Sequence, residues 1–531
     1  MTLLDHLVIA PILLPLLAAI LILTAYERTP HLKASINVTA TVLQVVVGVL
    51  LVMQVDGQNG PSVYLLGNWA PPFSILLVAD RIAALLVLLT AVLALAALLF
   101  SLARWQRAGT HFHPLFQLFL MGVSGAFLTG DLFNLFVFFE VMLAASYGLV
   151  FYPATEARVR AGLHYLVINL FASLLFLIGV ALIYSVTGTL NMAHLATVVP
   201  ALDPAQKPLL HAGAAVLAVA FLIKAGAWPL CFWLATTYAA AIAPVAAVLA
   251  IASKVGVYTL LRLWQLMFDG NEAFAGLCLL LGGLATVLFG TLCVLASQEL
   301  GRLAGYSVLL SSGTVLAVIG TGSSTAIGAA LFYLVSSTLA LGAFWLLVEL
   351  AERGRSAVAD LLAVTQEAFG TAEESDLEEP EPVGVIIPAT MALLGLSFIG
   401  CALLLAGMPP LSGFLGKYAM LAAVLGGDGS AVGVAGWSIV ALLLLSGFAS
   451  LIGFSRAGMR LFWPALPRTV PTVRVIEMAP IGLLLALCLA MMVGADRMMA
   501  FTQAAAAEVS QPVQYVEQVL ATLPYGGGEG G

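Results

Sequence analysis

Runs of about twenty apolar residues recur along nearly the whole chain, and each is long enough for a helix to cross hydrocarbon. Of the 531 residues, 62% are hydrophobic and 9% are charged. A soluble domain carries about 25% charged residues, so this chain lacks the polar surface to cover itself in water. The runs show no period-two alternation of the kind a membrane barrel needs, which leaves helices as the spanning solution. The expected fold is an all-α polytopic membrane protein. The first run, Leu7 to Ala25, is long enough to remain as a span rather than serve as a cleaved leader.

Fourteen spans are expected, at about 7–25, 35–55, 81–103, 114–130, 132–152, 161–186, 210–239, 243–267, 273–296, 302–320, 325–350, 386–425, 436–457 and 475–498. Two of them should be broken. The run 210–239 contains Trp228-Pro229, and the run 386–425 contains Gly407-Met408-Pro409-Pro410. Proline removes an amide donor and clashes with the preceding turn. Non-helical backbone at membrane depth is tolerated only where protein or water lines it.

Charge placement gives an orientation. Thirteen basic residues, among them Arg28, Lys33, Arg104, Arg158, Arg353 and Arg474, fall in one set of connections. Four, Arg81, Lys207, Arg262 and Arg497, fall in the other. The positive-inside rule puts the first set in the cytoplasm and both termini outside. The connection 351–385 is acidic in its second part and reads as a solvated linker. The net charge of −7 gives no reason to expect nucleic-acid binding. Cys231, Cys278, Cys293, Cys401 and Cys488 lie in apolar runs without metal-ligand spacing, and read as small buried residues. No metal or cofactor motif is evident.

Glu140, Lys224, Lys254 and Lys417 lie inside spans. A charged side chain at mid-helix costs about 2.5–3.5 kcal/mol on insertion scales, so four facing lipid would cost roughly 10 kcal/mol. They must face one another, or water, inside the bundle. Glu140 lies about 13 Å along its helix from Asp131, near mid-bilayer. Lys224 precedes one helix break and Lys417 follows the other. The four groups are read as a polar track in the membrane plane that carries protons. A buried lysine's hold on its proton depends on whether its neighbour is charged, and Glu140 beside Lys224 would be such a pair. The alternative is a permanent ion pair that only locks helices together. Two weaker candidates remain: His164, for proton uptake near the cytoplasmic end of its helix, and Asp131, as a helix cap or a proton port.

The two breaks occupy matching places in spans 4–8 and 9–13. Five helices per half reverse the second copy, which makes an inverted repeat with working groups near midplane. The divisions are then 1–113, the first three helices; 114–267, the first repeat; 268–460, the second repeat with the loop 351–385; and 461–531, the last helix and an outer tail.

Thr129-Gly130-Asp131-Leu132-Phe133-Asn134 through Phe138-Phe139-Glu140-Val141-Met142 resembles the fifth helix of the proton-translocating antiporter-like family, in the form found in the D-type chain of Mrp antiporters. Leu222-Ile223-Lys224-Ala225-Gly226-Ala227-Trp228-Pro229 is similar to its seventh helix, Ala252-Ser253-Lys254-Val255-Gly256 to its eighth, and Gly407-Met408-Pro409-Pro410 through Lys417 to its twelfth. The resemblance implies two inverted five-helix repeats and a hydrophilic axis through Glu140, Lys224, Lys254 and Lys417. It implies a bacterial cytoplasmic membrane, the other Mrp antiporter subunits (A, B, C, E, F and G) as partners, and exchange of sodium or another monovalent cation for protons. It implies no cofactor and no bond chemistry, so the chain is expected to be a transporter and not an enzyme. The eleventh helix departs from the family: Ser336, Ser337 and Thr338 stand where relatives often carry histidine. Ser336 and Thr338 are expected to order waters between Lys254 and Lys417. The alternative reading is a proton-pumping membrane-arm subunit of an NADH dehydrogenase or membrane-bound hydrogenase, which shares the fold and the axis.

Overall fold

The computed structural model describes residues 5–25, 29–58, 60–69, 71, 74–105, 111–268, 273–353, 389–426, 433–462 and 473–522. Most of the acidic connection lies outside them. Helices α1 (Ala10–Thr24) and α2 (Pro30–Gly57) are followed by strands β1 (Ser62–Leu66) and β2 (Ile75–Ala79), and then by α3 (Arg81–Leu102), α4 (Phe112–Leu128), α5 (Leu132–Val150) and α6 (Glu156–Thr187). A short α7 (Met192–Val198) leads to α8 (Lys207–Ala225), α9 (Leu234–Ala240), α10 (Ala243–Phe268), α11 (Ala273–Ala296), α12 (Leu300–Ile319) and α13 (Ser324–Glu352). The remainder is α14 (Ala389–Ala406), α15 (Ser412–Leu425), α16 (Val434–Phe462), α17 (Val475–Val493), α18 (Ala495–Ser510) and α19 (Val513–Ala521).

Among the described residues, twelve helices are long and apolar enough to cross a membrane, and the apolar α1 and α4 are shorter. The chain is therefore a helical polytopic membrane protein. The apolar windows of α10 and α13 are buried along their whole length, whereas those of α2 and α17 are mostly exposed. Aliphatic side chains covering a helix on every side mark it as interior to the bundle, so Lys254 rides on a central helix.

Both expected breaks are present. Gly226 ends α8 at φ 70° and Gly407 ends α14 at φ 77°. Only glycine takes that left-handed conformation without steric cost. At the first break, the Gly226 and Ala227 amides donate to the Ile223 and Leu222 carbonyls. Trp228 N donates to Thr286 Oγ1 at 2.8 Å, and Trp233 Nε1 donates to the Ile223 carbonyl at 3.2 Å. At the second, the Gly407 and Met408 amides both donate to the Leu403 carbonyl. Backbone freed by each break thus finds protein partners, as burial in lipid requires.

Three features were not expected. β1 and β2 form an antiparallel hairpin with Ser62 opposite Ala79. Its second strand is stitched to the turn before α5, where Gly130 N donates to the Leu76 carbonyl at 3.1 Å. The tail beyond Met499, rich in alanine and then glycine, forms most of α18 and all of α19. Gln503 Nε2 donates to the Thr325 carbonyl at the start of α13. Arg262, expected in an outer connection, is buried within α10. Its Nη2 lies 2.5 Å from Asp80 Oδ2, and its guanidinium stacks over the Tyr258 and Tyr515 rings. Of the cysteines, Cys231, Cys401 and Cys488 are buried, but Cys278 is exposed and Cys293 only half-buried, which corrects the reading that placed all five inside.

Candidate functional site

The four ionisable groups lie within the bundle, each against hydroxyl or carbonyl oxygen. On α5, Glu140 is half-buried and accepts a short hydrogen bond from Ser173 Oγ of α6. Lys224, buried near the end of α8, donates to the same Ser173 Oγ at 3.4 Å. Its ammonium also sits 4.9 Å from the centre of the Phe139 ring, within cation–π range. A serine hydroxyl therefore bridges the expected pair, and a hydroxyl can accept from one neighbour while donating to the other.

Lys254 is fully buried at the centre of α10. Its Nζ donates to Ser311 Oγ at 2.8 Å and Ser312 Oγ at 2.9 Å, both on α12. Ser311 Oγ lies 2.8 Å from Ser337 Oγ of α13, and Ser337 donates to the Leu334 carbonyl at 3.2 Å. Lys254 is thus joined through Ser311 to the Ser337 hydroxyl. A lysine of α10 holds hydroxyls of α12.

Lys417, on α15, turns back to the end of α14 and donates to the Ala406 carbonyl at 2.9 Å and the Leu405 carbonyl at 3.5 Å. The last carbonyls of a helix have no partner within it and carry the negative end of its dipole. An ammonium is well matched to that position. A small cavity lined by Ser307, Leu310, Ser311, Thr314, Tyr333, Leu405, Lys417, Ser446 and Ser450 extends from Ser311 to Lys417.

Ser336 and Thr338, expected between Lys254 and Lys417, are not on the wall of that cavity. Ser336 Oγ pairs with Ser412 Oγ at 2.8 Å, and Thr338 Oγ1 donates to the Leu334 carbonyl at 2.7 Å. Ser337, between them, faces Ser311 instead, and the hydroxyls between the two lysines come mainly from α12 and α16. His164 is exposed, with its ring edge-on to Phe232, while its neighbour Tyr165 points inward and bonds Ser146. Asp131 caps α5 by accepting from Asn134 N at 2.9 Å. Ser173, Ser311 and Ser312 were missed. A stripe of Tyr165, Asn169 and Ser173 at helical spacing was the available signal for the first of these.

Residues 129–444 match the family model described as "NADH:quinone oxidoreductase/Mrp antiporter, TM". The match covers Glu140, Lys224, Lys254 and Lys417 together with both breaks. The chain belongs to that family. The D-type chain of a probable K(+)/H(+) antiporter of Rhizobium meliloti (strain 1021) is 51% identical to this family member over 97% of this chain and 98% of its own length. The D-type chain of the Na(+)/H(+) antiporter of Alkalihalophilus pseudofirmus is 35% identical, over 97% and 99%. A chain in the structure of the Mrp complex from Dietzia sp. DQ12-45-1b superposes with a TM-score of 0.81 at 26% identity, covering 98% of this chain and 100% of that one.

Proposed function

We propose that this chain is the D-type component of a multisubunit antiporter and moves protons along the buried axis to drive export of a monovalent cation. The observation that carries the reading is that Glu140, Lys224, Lys254 and Lys417 each meet hydroxyl or carbonyl oxygen in the interior. Two of these lysines stand at helix breaks. A proton arriving at Glu140 passes through Ser173 to Lys224, and the resulting charge alters the hold of the next lysine on its proton. Lys254 hands its proton towards Ser311 and the cavity, and Lys417 is the last carrier. Near-full-length similarity to the D-type chains of K(+)/H(+) and Na(+)/H(+) antiporters supports this reading over a redox-driven arm.

In this reading the bundle has fourteen spans, with α8–α9 and α14–α15 as the broken helices of two inverted repeats. The repeats occupy about 114–267 and 268–460, the termini lie outside a bacterial cytoplasmic membrane, and the partners are the other Mrp subunits. Glu140, half-buried in the isolated chain, then lies where a neighbouring subunit could reach it. The test is cation-dependent dissipation of a pH gradient in vesicles carrying the whole complex. Glu140→Ala and Lys224→Ala should each abolish it at normal complex abundance; full activity in both would remove the proposed pair. Copurification with redox subunits instead of small antiporter subunits would favour the redox-driven arm.

A further inference from the structure

The cavity beside Lys417 is walled mainly by hydroxyl-bearing side chains, Ser307, Ser311, Thr314, Tyr333, Ser446 and Ser450, with Leu310 and Leu405 between them. Ser307 Oγ donates to the Leu303 carbonyl at 2.8 Å, Ser446 Oγ to the Leu443 carbonyl at 2.9 Å, and Ser450 Oγ to the Ser446 carbonyl at 2.7 Å. A serine hydroxyl has a single proton. With that proton committed to its own helix, each oxygen can offer the cavity only lone pairs. Leu405 is also on the wall, and the Leu405 and Ala406 carbonyls at the open end of α14 accept from Lys417 beside it. Ser311, at the far side, already accepts from Lys254. The ammonium of Lys417 is the charged donor facing this set of acceptors.

Gly447 leaves room for the Lys417–Ala406 contact, since a Cβ there would stand 3.0 Å from the Ala406 carbonyl oxygen and 3.7 Å from Lys417 Nζ. The free space is on the order of one water molecule, which is too little for an organic solute or a hydrated ion. The Ser307, Ser446 and Ser450 oxygens, whose protons are committed to their own helices, are hard donors that suit a bare alkali cation, as do the carbonyl ends of broken helices in transporters.

We propose that this cavity is a seat for one dehydrated monovalent alkali cation, held by the hydroxyl oxygens of Ser307, Ser446 and Ser450 and the carbonyl oxygens of Leu405 and Ala406. The seat exchanges its ion for the proton of Lys417. While Lys417 is charged, its ammonium occupies the carbonyl end of α14 and repels a second cation. When it gives its proton through the cavity water to bulk solvent, as the last carrier of the path, and becomes a neutral amine, the carbonyls are released to the ion and the repulsion is gone. One positive charge replaces another, so occupancy is exclusive, which is the condition that exchange transport needs. The inference rests on the antiporter reading above and adds the place where the cation binds.

The test is the rate of pH-gradient dissipation in vesicles carrying the complete complex, as a function of Na+ and separately of K+, normalised to subunit abundance. The double variant Ser446→Ala with Ser450→Ala should raise the half-saturating concentration of the transported cation by about tenfold, as expected for lost contacts to a charge. Ser307→Ala, on a different helix, should also raise it and serves if the double variant does not assemble. Ser450→Thr keeps a back-bonded hydroxyl and should stay within about twofold of the parent. Half-saturation unchanged for both cations in an assembled alanine variant would overturn the seat. Lys224→Ala tests the proton path separately, so a failure of the seat is distinguished from a failure of the antiporter reading.

Discussion

Gly407 makes room for Lys417. A Cβ at position 407 would stand 2.7 Å from Lys417 Cδ and 3.1 Å from its Nζ, and φ there is 77°. The residue that breaks the helix is thus also the one that lets the lysine fold back onto the freed carbonyls. Gly407→Ala meets both a backbone strain of about 1–3 kcal/mol and a clash with the lysine stem. The expected result is a fall of at least about tenfold in transport per assembled complex. Gly482→Ala, where a Cβ meets nothing within 4 Å, is the control and should leave transport unchanged.

Ser173 joins Glu140 to Lys224, so the pair should depend on its hydroxyl. Ser173→Ala should lower transport by roughly tenfold, the kinetic equivalent of about 1.4 kcal/mol. Ser173→Thr should retain most of it. Rates measured at equal complex abundance check this, and equal rates in the alanine variant and the parent would show that protons pass between the pair another way.

Asp80 and Arg262 form a buried ion pair, and Asp80 also caps α3 by accepting from Ala83 N at 2.9 Å. Removing one partner of a buried pair leaves the other charge unpaired, at a cost of about 3–5 kcal/mol. Asp80→Ala should therefore lower the thermal unfolding temperature of the detergent-purified complex and reduce its abundance. Asp80→Ala combined with Arg262→Met should recover part of that loss, because no unpaired charge remains.

Glu508, on α18, faces Arg81 at 3.4 Å and lies near Asp80 and Arg262. Burial, and then the Asp80 charge, push its carboxyl above the ordinary value, against the opposing pull of Arg81 and Arg262. A carboxyl raised on folding contributes stability below its unfolded pKa and loses it as pH rises through the folded value. The unfolding temperature of Glu508→Gln relative to the parent should therefore climb as pH rises through that range, then level off. Thermal melts at several pH values check this, and a difference that falls with pH would contradict it.

The charges of the axis were legible in the sequence because burying them in lipid costs enough to force them inward, whatever the local fold. Pro229, Pro409 and Pro410 made the breaks legible for a similar reason: each costs a helix an amide donor and clashes with the preceding turn, and each follows a glycine by two or three residues, whereas Pro15 and Pro480 sit inside continuous helices. The hydroxyls were not. Serine in an apolar helix can satisfy itself by bonding back to its own turn, as Thr338 does, so its presence says little about what it faces. Ser336 and Ser337 are adjacent, yet about 100° of helical rotation sends one to Ser412 and the other to Ser311. The tail carried a weak signal in Thr502, Ala505, Ala506 and Val509, the buried face of α18, but alanine gives little contrast between faces. The hairpin at β1 and β2 was hidden because five-residue strands cannot be told from loop by apolar runs alone.

Lys254 decides whether the proposed path is continuous, because it reaches from α10 to the Ser311 and Ser312 hydroxyls of α12. Methionine has a similar volume and no charge, and replacing a buried ion with a packed apolar side chain is often neutral or stabilising. In vesicles with Lys254→Met complexes at parental abundance and unfolding temperature, cation-dependent proton flux should fall by about a hundredfold or more. Flux retained at the parental rate in those same vesicles would contradict a proton path through the buried lysines.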